Sequence, residues 1–330
     1  MKADFNISNA TKVQTNSVDT SATYLSKLNP LNIHKRGSRT KALFALALVC
    51  FFWGTTWVAS KQAVQYMPAL QMAGIRQAIA GLCYILFFIA KGTKFPQGKE
   101  WGVVFILSFL NFMLSNAFST WAVKYISAGL GSIIGSIFPL WLVIIGLIMT
   151  KDRLQTKTII GLLLGFAGIC VIFYEHLIDF LDPEFRFGII LALTSTWTWA
   201  FGTIYTKKHA ARFNPYFSLG LQMLIAGAAL CFFTAVSGNA ISLSAIPWQS
   251  WLWILYLVVF GSIIAFVAFL YALQKLSTEQ ASIYAYINPI VAILLGWMMF
   301  NEKLTAFIIV GTIITLYGVY LVNKAALKIN

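Results

Sequence analysis

The sequence predicts an all-α integral membrane protein whose ten transmembrane helices form two inverted five-helix repeats. Three observations predict it. The 330 residues are 59% hydrophobic and only 10% charged, whereas soluble domains are about 45–50% apolar and about 25% charged. A chain of this size cannot bury so much apolar surface in water. The apolar residues fall in ten runs of roughly 20 residues, the helix length that crosses about 30 Å of hydrocarbon. The two halves of the chain also repeat one another.

Residues 1–40 come before the first run. They are rich in Ser, Thr, Asn and Lys and lack a sustained apolar period, so a disordered cytoplasmic tail is expected. No secretory signal peptide is expected in this segment. The ten runs are 42–62, 69–90, 101–121, 126–149, 157–174, 187–206, 215–236, 249–273, 280–299 and 304–323. A backbone in lipid must satisfy its own hydrogen bonds, which a helix does. The runs do not alternate as the strands of a membrane barrel would.

Basic residues set the expected topology. With the N-terminus inside, 19 of the 24 Lys and Arg residues fall in the tails and inner loops. Four, Lys61, Lys124, Arg186 and Lys303, fall outside, and Arg76 lies within a helix. Both termini are therefore expected in the cytoplasm, and the short loops and lack of a presequence point to the cell (inner) membrane. The outer connection 175–186 carries Glu175, Asp179, Asp182 and Glu184 and reads as a linker between the repeats, 41–174 and 187–324.

A shift of 150 residues aligns Ala122, Ser127, Ser132, Pro139, Gly146, Leu154, Gly161 and Gly168 with Ala272, Ser277, Ser282, Pro289, Gly296, Leu304, Gly311 and Gly318. Asp152 meets Glu302 at the same shift. A shift of 146 aligns Trp53 with Trp199, Lys61 with Lys207, Arg76 with Gln222, and Ala80-Gly81 with Ala226-Gly227. Five is odd, so the second unit enters the membrane from the opposite side. Secondary transporters are often built this way, with the substrate site near the midplane between the repeats.

Several features resemble the EamA branch of the drug/metabolite transporter superfamily. They are Trp53-Gly54-Thr55-Thr56-Trp57, Arg76, the Pro139 and Pro289 segments, and the turns Lys151-Asp152-Arg153-Leu154 and Asn301-Glu302-Lys303-Leu304, each leading into a Gly-rich helix. The resemblance covers about residues 42–324. It implies the ten-helix fold and export of amino acids or other small metabolites.

Polar residues inside membrane helices are costly and need a reason. All ten acidic residues lie in tails, loops or helix ends, so no mid-membrane carboxylate is expected to carry a proton or bind a cationic drug. Arg76 is either a contact for a carboxylate or phosphate or an arginine that snorkels outward or bonds a neighbouring carbonyl. Trp53, Trp57, Trp197 and Trp199 fall mid-helix, where they form either an aromatic substrate wall or interhelical packing. Asn111 and Asn116 in the third run either face a cavity or bond between helices. Ser136, Tyr286 and Asn288 lie one turn or less before Pro139 or Pro289. A proline frees helix carbonyls, so these segments serve as hinges and solute contacts or as a kinked packing seam. Gly131, Ser132, Gly135 and Ser136, and Gly161, Gly165 and Gly168, have the spacing of close helix approach.

The expected function is export of small metabolites, amino acids or related amphipathic solutes foremost, by alternating access without an intramembrane carboxylate. The alternative is import or exchange of a phosphorylated or nucleotide-linked metabolite, which needs clustered cations. No enzyme is expected, because a buried His, a His–Glu metal motif, a Ser–His pair or paired Asp residues are not visible. Cys50, Cys83, Cys170 and Cys231 lack metal or disulfide spacing. Neither a metal nor another cofactor is expected. The expected partners are a small-molecule substrate and the lipid bilayer, without nucleic acid, for a functional monomer.

Overall fold

The computed structural model describes residues 36–150, 156–209, 214–276 and 284–326. The expected tail up to residue 35, the turn from Lys151 to Leu154, and Ser282 lie outside the described residues. Among those described, ten helical segments follow one another. They are α1 (Arg36–Ala63), α2 (Ala69–Ala90), α3 (Glu100–Ala122), α4 (Ala128–Ser136 continuing as Phe138–Thr150) and α5 (Thr156–Glu175) in the first half. The second half holds α6 (Pro183–His209), α7 (Pro215–Val236), α8 (Trp248–Lys275), α9 (Tyr284–Phe300) and α10 (Ala306–Ala326). Eight are long and apolar enough to cross a membrane; α9 and the apolar part of α10, Ala306–Val322, are shorter. Helix α1 starts six residues before the expected span, so Arg36 and Arg39 belong to a helix rather than to the tail.

Local chemistry fixes the helix ends. Ser127 Oγ accepts the Leu130 N–H at 3.0 Å and caps α4. Asn214 Oδ1 accepts from Tyr216 and Phe217 at 3.0 and 3.2 Å, with Pro215 in the first turn of α7. Helices α2 and α7 both run out into a glycine with positive φ, Gly92 (70°) and Gly238 (71°), where a side chain would be strained. These two glycines are 146 residues apart, the shift that relates the two helices.

The halves interlock. Helix α2 lies along α7 and α5 along α10, while α1 packs on α8 and α9, and α6 packs on α3 and α4. In lipid, helices associate through close backbone approach more than through burial of apolar surface. A Cβ at Gly81 would lie 2.7 Å from the Gly220 carbonyl, and one at Gly161 would lie 2.7 Å from the Gly318 carbonyl. Both seams therefore depend on the missing side chain. The outward faces carry exposed Phe44, Leu86, Phe105, Phe232, Leu252 and Ile313, as a lipid-facing surface requires.

The π-helical stretches, and the different behaviour of the two proline segments, were not legible in the sequence. Helices α3 and α8 each pass through a π-helical stretch, Ser108–Asn116 and Leu257–Ile264, starting 149 residues apart. Helix α4 is interrupted at Ile137, two residues before Pro139, whereas α9 runs through Pro289 without a break.

Candidate functional site

A cavity of about 140 Å³ lies between the two halves, walled by residues of α1, α2, α3, α4, α6, α8 and α9. Trp53, Trp57, Arg76, Asn111, Asn116, Ser136, Trp199 and Asn288 are all on its wall. Trp197 and Tyr286 are not. Trp197 is 45% exposed on the outer side of α6, edge-on to Phe201 at 5.0 Å. Tyr286 packs on the cluster around Ile126, Ile133 and Leu191. The reason is helical geometry. Residues two apart point about 200° apart, given about 3.6 residues per turn. Trp199 faces inward, so Trp197 faces out; Tyr284 and Asn288 share the inner face, so Tyr286 leaves it. Among the proline pair, Pro139 follows the break in α4 and Pro289 is buried within an unbroken α9.

Trp53 is the hub of the aromatic wall. Its ring centroid lies 5.0 Å from Phe266, 4.9 Å from Phe269, 5.0 Å from Tyr284 and 6.1 Å from Trp199. The indole N–H of Trp53 donates to Gly261 O at 3.2 Å, and that of Trp199 donates to Tyr284 Oη at 3.3 Å. Trp57 lies flat against α4. A Cβ at either Gly131 or Gly135 would come 2.9 Å from its ring. The small residues of α4 thus admit an indole, not a second helix backbone as the spacing led us to expect.

Arg76 is 3% exposed. Its Nε donates to Ser262 Oγ at 3.0 Å, in the π stretch of α8. No ion pair to Arg76 exists among the described residues, and no Asp or Glu lines the cavity. Tyr84 Oη sits 3.2 and 3.0 Å from the carbonyls of Ser262 and Ile263. Trp53, Arg76 and Tyr84 thus bind three successive residues of α8, where a π-helical turn loosens the regular bonding.

Five hydroxyls on the wall are already committed as donors. Thr56 donates to Trp53 O, Ser119 to Asn116 O, Ser132 to Gly129 O, Ser136 to Ile133 O, and Thr196 to Ala192 O, at 2.7 to 2.9 Å. Their lone pairs remain as acceptors. Asn116 Oδ1 accepts from Gln77 Nε2 at 2.6 Å. With its amide turned so that the nitrogen faces them, Asn288 donates to the Cys50 and Tyr284 carbonyls at 2.9 and 3.0 Å and ties α9 to α1. Sequence reading passed over Ser60, Thr196, Phe266 and Tyr284, and gave Thr56 only as part of the tryptophan motif. Their signal was a shared helix face with a chosen residue: Ser195 and Thr196 lie one turn before Trp199, and Tyr284 one turn before Asn288. Among the described residues no cluster of His, Cys, Asp and Glu has metal-binding geometry.

The repeats meet with exchanged sizes. Thr56 Cγ2 occupies the space a Cβ of Gly261 would need, at 2.7 Å, while Asn111 Oδ1 occupies that of Gly202. Thr56 and Gly202 are repeat equivalents at the 146-residue shift, and Asn111 and Gly261 at the 150-residue shift. Each contact therefore pairs one small and one larger residue, in opposite order.

A sequence model of the EamA-like transporter family matches residues 40–174 and again 186–324. The chain belongs to the EamA-like transporter family. It is 28% identical over 292 residues to an uncharacterized transporter of Bacillus subtilis, YvbV, covering 88% of this chain and 93% of that one. It is 30% identical over 268 residues to the uncharacterized inner membrane transporter YedA of Escherichia coli K12, covering 80% and 83%. A solved structure described only as a crystal structure of protein has a TM-score of 0.61 at 16% identity, over 88% of this chain and 98% of that one. That likeness speaks to the fold alone. This EamA-like transporter is thus a multi-pass membrane protein whose two family repeats enclose the cavity.

Proposed function

We propose that the protein exports small amphipathic metabolites, amino acids foremost, by alternating access around the cavity between its repeats. The observation that carries this reading is the polarity of the wall. Arg76 is the charged group on it among the described residues, and a guanidinium only donates. The hydroxyls of Thr56, Ser119, Ser132, Ser136 and Thr196 have committed their protons and only accept. A zwitterion complements both: its carboxylate pairs with Arg76 and its ammonium with the hydroxyl oxygens. Trp53, Trp57 and Trp199 meet the apolar part, and Asn111, Asn116 and Asn288 supply amides at the edge. The volume of about 140 Å³ is below the roughly 300–1,000 Å³ of sites for drug-sized ligands, which suits an amino acid better than a nucleotide sugar. A phosphorylated ligand would call for more than one cation.

The break beside Pro139 and the proline in α9 are the proposed hinges. The bias of Lys and Arg puts both termini in the cytoplasm and the α1 C-terminal end outside. One chain supplies both repeats, so a monomer suffices. The test is counterflow in proteoliposomes with single amino acids, their amides, and phosphorylated sugars. Exchange of one amino-acid group, lost in Trp199→Ala, is the expected result. Exchange of phosphorylated sugars with no amino acid moving would overturn it.

A further inference from the structure

At the end of the bundle opposite the start of α1, the C-terminal end of α1, the start of α4 and the turn after α9 converge on one carboxylate. Glu302 Oε1 accepts the Ala128 N–H at 2.9 Å and lies 3.3 Å from Lys61 Nζ, while Oε2 accepts the Gly129 N–H at 3.3 Å. Lys61 Nζ also donates to Ile126 O at 3.0 Å, in the connection that leads into α4. A carboxylate at the first N–H groups of a helix satisfies unpaired donors and faces the positive end of the helix dipole.

The local chain is shaped for this contact. Asn301 takes a left-handed conformation, φ 53°, which few residues other than glycine and asparagine accept readily. That turn folds Glu302 back over α9, where its N–H reaches Gly296 O at 3.3 Å. A Cβ at Gly296 would lie 2.9 Å from Glu302 Cδ, so only a glycine leaves room for the carboxylate.

Neither Lys61 nor Glu302 lines the cavity itself, but their neighbours do. Ser60, the neighbour of Lys61, and Ser132, one turn into α4, both line it. The piece of α4 held by Glu302, Ala128–Ser136, is separated from the rest of the helix by the break at Ile137. It packs on α9, α1 and α6, and it carries Ser132, Gly135 and Ser136 on the wall.

We infer that Lys61, Glu302 and the N-terminal end of α4 form a latch that closes the cavity at this end, and that the Ala128–Ser136 segment is the gate it holds. The bonds that make the latch are partly exposed, with side-chain exposures of 23% for Lys61 and 15% for Glu302. Partly exposed contacts of this kind break and re-form readily. Their loss shifts the conformational balance rather than the fold. The latch is independent of which solute the cavity carries, so it stands or falls apart from the substrate assignment.

The test is thiol accessibility. Ser136→Cys is introduced where Cys50, Cys83, Cys170 and Cys231 have been replaced by serine, and a membrane-impermeant methanethiosulfonate is added from the membrane face at this end. Glu302→Gln and Lys61→Met should each raise the labelling rate by about fivefold or more, the lower range of a conformational coupling. Lys303→Met, beside the latch, should leave it unchanged. An unchanged rate in both latch variants, with the protein intact in the membrane, overturns the proposal. Should either variant fail to accumulate, the pair Lys61→Cys with Glu302→Cys decides. Oxidation should abolish labelling at position 136, read by peptide mass spectrometry, and reduction restore it; labelling at 136 that ignores the cross-link overturns the latch.

Discussion

The Trp53 indole in α1 donates to the Gly261 carbonyl in the π-helical stretch of α8, 208 residues further along the chain, at 3.2 Å. One bond thereby joins the family-like tryptophan motif of the first repeat to the irregular helix of the second. Arg76 and Tyr84 of α2 bind the next two residues of that stretch. The distortion of α8 is supported from the other half of the molecule, and the cavity wall is assembled across the repeats.

Trp53→Phe removes the indole N–H and keeps an aromatic ring. It should cost about 1 kcal/mol, the net worth of one hydrogen bond. Trp53→Ala also empties the space between Phe266, Phe269, Tyr284 and Trp199, and should cost about 3–5 kcal/mol. Thermal unfolding in detergent distinguishes the two. Equal melting temperatures would show that the aromatic hub is not packed as described.

Gly261→Ala brings a methyl 2.7 Å from Thr56 Cγ2 and 2.9 Å from Arg76 Nη2. Transport should fall, and Thr56→Ser in the same chain should recover part of it by removing Cγ2. Contacting residues show coupling of about 0.5–3 kcal/mol in double-mutant cycles. Additive effects of the two changes would contradict the contact.

Gly81→Ala and Gly168→Ala each place a methyl against backbone of the facing helix, 2.7 Å from Gly220 O and 2.6 Å from Gly311 O. Each should destabilise by about 1–3 kcal/mol through overpacking. Gly102→Ala, with nothing within 4 Å, should stabilise by about 0.5–1 kcal/mol through helix entropy. Melting temperatures of the three variants give opposite signs for the seam and the control.

Arg76→Gln keeps a donor but loses the charge. Charged hydrogen bonds are worth about 1.5–3 kcal/mol, so amino-acid counterflow should drop by roughly ten- to a hundredfold, with Arg76→Lys intermediate. Amino-acid amides, which lack the carboxylate, should move equally well in all three proteins. A parallel loss for acids and amides would make Arg76 a support for α8 and not a solute contact.

Among the described residues the cavity is lined by no Asp or Glu. Collapsing the proton gradient with an ionophore should therefore leave efflux down a fixed solute gradient unchanged. Efflux that stops on collapse would require a protonatable group elsewhere on the route.

Composition and run length determined the membrane fold, because lipid admits few backbone solutions, and the paired Gly, Pro and Trp positions made the repeat readable. Much of the wall was legible too: Trp53, Arg76 and Asn111 stand out because polar or bulky groups mid-membrane need a reason. Tertiary structure decided the rest. It took Trp199 and left Trp197, and took Tyr284 in place of Tyr286, since a helix can turn only one side inward and its rotation is set by its neighbours. It gave the small residues of α4 to the ring of Trp57, and it seated Glu302 on α4 some 170 residues earlier. Such pairings depend on how ten helices lean together, which no local pattern of residues encodes.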